Sequence, residues 1–230
     1  MVAAGALVPA MAVWKQLASN RPSFPLPKAF PLLDLLLESN DADDAQIVWR
    51  QALSSTAIMA QPASTGSLIW DGGFEQNLLN GGFAWRYLPV EGADIELDEE
   101  TVHSGRRSLR VDFDGTGNVD FKNIWQYVAV EPNTRYRFGA YVRAQELSTD
   151  SGIRFEIDQN GILPLLTPNI IGTQPWTLHD VEFSTGPETR VLRVVLRRTP
   201  SDRFGNKIRG TAWVDDISLT LMARRDRVLR

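Results

Sequence analysis

From about Ser67 onward, apolar and charged residues alternate along segment after segment. "SLRVDF" sets Leu109, Val111 and Phe113 against Arg110 and Asp112. "RYRFGAYVRA" sets Tyr136, Phe138, Ala140 and Val142 against Arg137, Tyr141 and Arg143. "GIRFEID" sets Ile153, Phe155 and Ile157 against Arg154, Glu156 and Asp158, and "RVLRVVLRR" sets Leu192, Val194 and Leu196 against Arg193, Val195 and Arg197. Successive side chains of a strand point to opposite faces, so a period of two marks strands with one face buried. "SLIW", "FAWRY", "ADIELD", "NIWQYVAV", "WTLHDVEF" and "TAWVDDISLTL" extend the series to about nine or ten strands separated by turn signals. The expected fold is mainly β: an antiparallel β-sandwich or jelly roll with a short N-terminal α-helical region.

Residues 1–60 follow the helical period. "ALVPAMAVWKQLASN" has Pro9 in its first turn and is ended by Asn20, Pro22 and Pro25. "PKAFPLLDLLLESN" repeats Phe30, Leu33, Leu36 and Leu37 at helical spacing. Asn40 is expected to cap "DADDAQIVWRQALSS", whose first turn carries Asp41, Asp43 and Asp44 at the positive end of the helix dipole. Ala45, Val48, Trp49 and Ala52 form its apolar face. So leucine-rich a set of short helices must pack on its neighbours or on the following region. The expected division is a helical region over 1–60, a linker over 61–66 within "MAQPASTGS", a β module over 67–222 and a basic tail over 223–230.

Composition closes several routes. A net charge of -4 argues against a nucleic-acid partner, and the absence of cysteine removes disulfides, thiolate zinc sites and thiol nucleophiles. No apolar run is long enough to span a membrane. "MVAAGALVPAMAVW" lacks a basic leading region and is not expected to be a signal peptide.

The words "DGGFEQ", "HSGRRSLRV", "WQYVAVEPNTRYRFGAYVRA", "PWTLHDVEFSTG" and "AWVDDISL" occur in this order. Together they resemble the galactose-binding-like jelly roll of carbohydrate-binding modules of families 4 and 9. The resemblance covers roughly Ser67 to Leu221. The two helices joined by "ESNDAD" resemble one tetratricopeptide-type unit, with an unrelated helical hairpin as the alternative. One such unit cannot bury its own face, so further repeats or docking on the β module would be needed. The combination resembles the C-terminal end of larger bacterial repeat proteins, which implies an extracytoplasmic setting with the export signal outside this chain.

The resemblance implies a structural calcium held by Glu75, Asp215 and backbone carbonyls of the turn at Ser104 and Gly105. Such hard oxygens are the donors calcium takes. Asp71 stands where the family more often has Asn and is expected either to add a ligand or to cap a turn. The alternative is that Glu75 accepts backbone amides and no metal binds.

Catalysis is not expected. His179 and Asp180 are adjacent on a strand and face opposite ways, His103 lies in a turn, and Glu99 and Glu100 fit a solvated turn. No nucleophile elbow, zinc helix or phosphate loop occurs. The resemblance implies glycan binding instead, by rings that stack on sugars and polar groups that bond hydroxyls. The candidates are Trp85 with Tyr87, and Trp125 with Tyr127 and Asn123, with Trp176 after the loop "TPNIIGTQP". Each ring could equally be core. Arg137, Arg143, Arg154, Arg193 and Arg197 form a second candidate feature, either a solvated charge lattice with Glu156, Asp158 and Glu182 or a cationic groove for an acidic glycan or a protein acid cluster. The competing reading is a structural or protein-interaction jelly roll that caps helical repeats and binds no sugar.

Overall fold

The computed structural model describes residues 7–20, 25–54, 56, 66–159 and 161–223. Three helices come first: α1 (Leu7–Asn20), then a 3-10 turn (Leu26–Ala29) leading into α2 (Phe30–Glu38), and α3 (Ala42–Leu53). Ten strands follow: β1 (Arg86–Tyr87), β2 (Ala93–Asp98), β3 (Ser108–Asp114), β4 (Phe121–Ala129), β5 (Arg135–Leu147), β6 (Arg154–Gln159), β7 (Leu165–Leu166), β8 (Gly172–Ser184), β9 (Val191–Arg198) and β10 (Arg209–Leu221). They form two five-stranded sheets, ordered β1-β4-β9-β6-β7 and β2-β3-β10-β5-β8. Every pairing is antiparallel, giving the expected jelly-roll sandwich. Most of the expected linker and of the basic tail lies outside the described residues.

The alternating pattern places the core between the sheets. Leu109, Val111 and Phe113 of β3, Phe138, Ala140 and Val142 of β5, Phe155 and Ile157 of β6, and Leu192, Val194 and Leu196 of β9 share one buried cluster. "SLIW" is not a strand, since only Ser67 bridges to Thr220, and "FAWRY" shrinks to the two residues of β1. Among the described residues neither segment has a strand neighbour along its whole length, although the Leu68 amide also donates to the Leu219 carbonyl.

Gln126 interrupts the apolar parity of β4 yet is fully buried. Its Oε1 accepts from the Trp70 amide at 2.9 Å and its Nε2 donates to the Trp70 carbonyl at 2.8 Å. The side-chain amide thus satisfies a non-strand backbone that has no ladder partner, which is what a buried polar group requires.

The helices pack on the sandwich through a second apolar cluster. It joins Trp14, Leu33, Leu36, Leu37, Val48 and Trp49 to Phe83, Ala84 and Val191, with Tyr127 and Ala129 partly buried against it. The glycines of "NGGF" make this approach possible. A Cβ on Gly81 would lie 2.2 Å from the Phe30 ring, and one on Gly82 would lie 2.4 Å from the Trp49 ring. Gly82 also has φ +57, which a residue without a Cβ adopts at no steric cost.

Asn40 does not cap α3. Asp41 is the cap, and its Oδ1 accepts from the Asp44 amide at 3.2 Å. Asn40 sits in the left-handed region at φ 62 and turns its side chain to the sandwich. There its Oδ1 accepts from the Arg190 and Val191 amides, and its Nδ2 donates to the Glu188 carbonyl.

Candidate functional site

The outer face of β4, β9 and β6 mixes rings, arginines and carboxylates. The register aligns Trp125 with Val195 and Glu156, and Tyr127 with Arg193 and Asp158. Trp125, Tyr127 and Asn123 are partly exposed on this face, while Ile124, Gln126 and Val128 point into the core. β9, not β4, is the central strand, so β4 lies one place from the edge, beside β1.

Some of this face is already covered. The α2–α3 hairpin lies over Tyr127, Ala129 and Val191. Arg86 is buried beneath them and its Nη2 lies 2.5 Å from Asp34 of α2 and 3.0 Å from the Gly82 carbonyl. Its guanidinium also lies 5.1 Å from the centre of the Tyr127 ring. Burial raises the Tyr127 phenol above its ordinary range, against the pull of the Arg193 and Arg86 cations. Where α2 ends, a pocket of about 300 Å³ opens between Glu38, Asn40, Tyr127, Asp158 and Arg193.

The charges of the face are mostly spent on one another. Arg193 meets Asp158 at 2.9 Å, and Arg197 meets Glu156 at 3.7 Å and also pairs with Asp120. Asn123 donates to the Leu88 and Pro89 carbonyls and so pins the loop after β1. Arg154, in register with Arg197, makes no ion pair among the described residues, and its buried Nε has no hydrogen-bond partner. The five candidate arginines do not share one face. Arg137 and Arg143 lie on β5 in the other sheet, where Arg137 pairs with Asp180 at 2.6 Å.

Trp85 and Tyr87 are not a ligand platform. Trp85 is 2% exposed, packs 5.2 Å from the Phe74 ring and donates its indole N–H to the Asp71 carbonyl. Tyr87 shares that inward parity and packs against the same core. Arg86 between them is the residue that points outward, toward the helices.

The acids of "DGGFEQ" and "VDDISL" meet at one corner. A Cβ on Gly73 would lie 3.6 Å from Asp215 Oδ1 and 3.8 Å from Glu75 Cγ. A register shift after Asp215, with Asp216 at φ 47, turns the Asp215 carboxylate inward. Its Oδ2 accepts from the His103 and Ser104 amides at 2.8 and 3.1 Å, and its Oδ1 from the Asp216 amide at 2.7 Å. Glu75 Oε1 accepts from the Arg106 and Arg107 amides at 2.7 and 3.2 Å, and Oε2 lies 3.5 Å from the Arg106 guanidinium. Asp71 accepts from the Glu75 and Gln76 amides and caps the turn that it begins. Burial pushes Asp71 and Asp215 up to about 6, against the downward pull of these amides.

Calcium needs free oxygens, and here N–H donors already converge on them. Ser104 presents its amide to Asp215, and its hydroxyl donates to Asp216 at 2.8 Å. Among the described residues no group of three or more acids or histidines is arranged to hold a metal ion. The corner as arranged therefore does not fit calcium.

His179 faces inward opposite Ala140 and bonds to Gln174, while Asp180 faces outward to Arg137. Burial lowers the His179 pKa. No helix among the described residues is long and apolar enough to cross a membrane.

No family model matches the chain, and no curated protein matches it. Among solved structures, the chain is similar to the CBM22-1 xylan-binding domain of Paenibacillus barcinonensis Xyn10C, with 15% identity over 72% of this chain and 97% of that one at a TM-score of 0.45. It is also similar to a family 4 carbohydrate-binding module, with 14% identity over 67% and 99% of the two chains at a TM-score of 0.47. A third is TmCBM61 in complex with β-1,4-galactotriose, with 15% identity over 68% and 99% at a TM-score of 0.44.

Proposed function

We propose that the chain is a non-catalytic glycan-binding module and that its binding surface is the area of the β4-β9-β6 face left open by the helices. The observation that carries this is the row arrangement of partly exposed Trp125 and Tyr127 beside Arg193, Glu156 and Asp158, next to the pocket walled by Glu38 and Asn40. Rings offer a surface to the apolar side of a sugar, and the forked guanidinium and carboxylates bond its hydroxyls. Arg154 on the same face, with no ion pair among the described residues, favours a glycan that carries negative charge. The word order resembling families 4 and 9 supports the same reading. It also supports an extracytoplasmic bacterial setting at the end of a larger, repeat-bearing protein, with the α2–α3 hairpin as a tetratricopeptide-like unit.

One observation favours a second reading. Tyr127, Ala129 and Val191 belong to the helices' apolar cluster, so the hairpin occupies ground a longer groove would need. In that reading the jelly roll caps helical repeats and binds no sugar. Calorimetric titration of the full chain with xylohexaose and β-1,4-galactotriose, together with a glycan array, separates the two. Binding that Trp125→Ala removes from a folded protein supports the module, and absence of binding across the array supports the cap.

A further inference from the structure

The outer face of the other sheet holds a second pocket. The pairing of β5 with β8 shifts register twice, between Val142 and Ala144 and again between Ala144 and Leu147. There a pocket of about 370 Å³ opens, with Arg143, Ala144 and Gln145 on one side and Thr173, Gln174, Pro175 and Trp176 on the other. Bulges of this kind disrupt the ladder locally and bend one strand away from its neighbour while the sheet continues beyond them.

The pocket lies beside a fixed aromatic wall. The His103 ring stacks on Tyr141 at 3.6 Å and meets the edge of Trp176 at 5.6 Å. His103 is held in turn by Asp216, 2.5 Å from its Nδ1. Trp176 remains partly exposed.

The charge at this pocket is unbalanced. Arg143 lies 5.4 Å over the Trp213 ring, which fixes its place, yet it makes no ion pair and no side-chain hydrogen bond among the described residues. The arginine on the other side of Trp213 is already committed, since Arg110 meets Glu96 at 2.9 Å and Asp112 at 2.7 Å. Asp98 is engaged by the Trp213 indole N–H at 2.7 Å.

We propose that this pocket binds a carboxylate-bearing sugar, a uronic acid residue. Arg143 forks the carboxylate, the Trp176 ring lies against the apolar side of the sugar, and Gln145 and Thr173 are placed for its hydroxyls. A guanidinium held on an aromatic ring and lacking an acid partner is suited to bidentate carboxylate binding. A neutral sugar would leave that charge unmatched, and a bare anion would leave the ring unused. The site is on the opposite sheet from Trp125 and does not depend on the glycan face proposed above.

The test is titration of the full chain with tri-galacturonate, followed by tryptophan fluorescence and calorimetry, with β-1,4-galactotriose and inorganic phosphate as controls. Arg143→Gln should weaken tri-galacturonate binding about tenfold or more. Trp176→Ala should also weaken it, and Arg143→Lys, which keeps the charge and loses the fork, should fall between. Arg203→Gln, on an exposed loop outside both faces, should leave it unchanged. The proposal is overturned if tri-galacturonate does not bind, if the neutral trisaccharide binds as tightly and Trp176→Ala weakens both equally, or if folded Arg143→Gln binds like the wild type. Phosphate binding as tight as that of the uronate, and indifferent to Trp176→Ala, would reduce the site to a general anion contact and overturn it too. Loss only in Arg154→Gln would move the acidic ligand to the other face.

Discussion

Asn40 reaches 151 positions along the chain to accept the Val191 amide at 2.8 Å. With its bonds to Arg190 and Glu188 it clasps the helical hairpin to the start of β9. Its left-handed backbone is one that asparagine tolerates and alanine resists. Asn40→Ala should therefore destabilise the chain by about 2–3 kcal/mol, from lost hydrogen bonds and added strain. Asn40→Gly loses the same bonds without adding the strain, and should cost less. Urea unfolding of the two variants measures both, and an Asn40→Ala cost below that of Asn40→Gly would contradict the account.

The two buried acids make stability depend on pH. Asp71 and Asp215 stand at about 6 when folded, above the ordinary aspartate value of 3.8. A raised folded pKa means that the folded chain holds protons the unfolded chain releases. Their contribution is thus full below about pH 4 and is lost as pH rises through about 6. Asp71→Asn keeps an acceptor for the Glu75 amide and suits the left-handed backbone at φ 46, but it cannot titrate. The stability of the wild type relative to this variant should be about 1 kcal/mol higher at pH 5 than at pH 7.5. A difference that does not change with pH would show that Asp71 is not held protonated by burial.

The same corner predicts the response to calcium. With backbone amides on Asp215, Glu75 and Asp71, an ion would have to displace N–H donors to bind. Millimolar calcium against chelator should move the melting temperature by less than about 1 °C, because only a ligand that prefers the folded state raises it. A rise of several degrees, abolished by Glu75→Gln, would show that the corner rearranges around calcium as the family resemblance implies.

The alternating strands were legible because each inward residue needs only its own parity to be placed, as with Leu192, Val194 and Leu196. What depends on distant partners was not legible. Arg198 shares the inward parity and is fully buried at the end of β9. It is satisfied by Asn118, Val119, Ser151 and Asn206, none of which is local to it in sequence except the last. Asn40 and Asp41 are both good capping residues, and only the sandwich decides that Asn40 is needed elsewhere. The sheet order that makes β9 central, and the division of the arginines between two faces, arise from long-range pairing that no local pattern records.

Tryptophan posed the hardest choice, because the same ring serves a core and a sugar. Trp85 immediately precedes β1, and Trp125 lies on β4 opposite Arg86 in the ladder, so the two rings fall on opposite sides of one sheet. Trp85 is enclosed by Phe74 and its indole N–H is bonded inside the fold. Removing it leaves a large cavity and takes one of two donors from the Asp71 carbonyl, so Trp85→Ala should cost about 3–5 kcal/mol. Trp125 lies on the outer face and is partly exposed, so Trp125→Ala gives up area without opening a cavity and should cost about 1 kcal/mol. Chemical denaturation of the two variants tests the stability difference, and glycan titration tests its functional side. A cost for Trp125→Ala as large as that for Trp85→Ala would make its ring a packing element beneath the helices. It would also remove the aromatic platform from the β4-β9-β6 face.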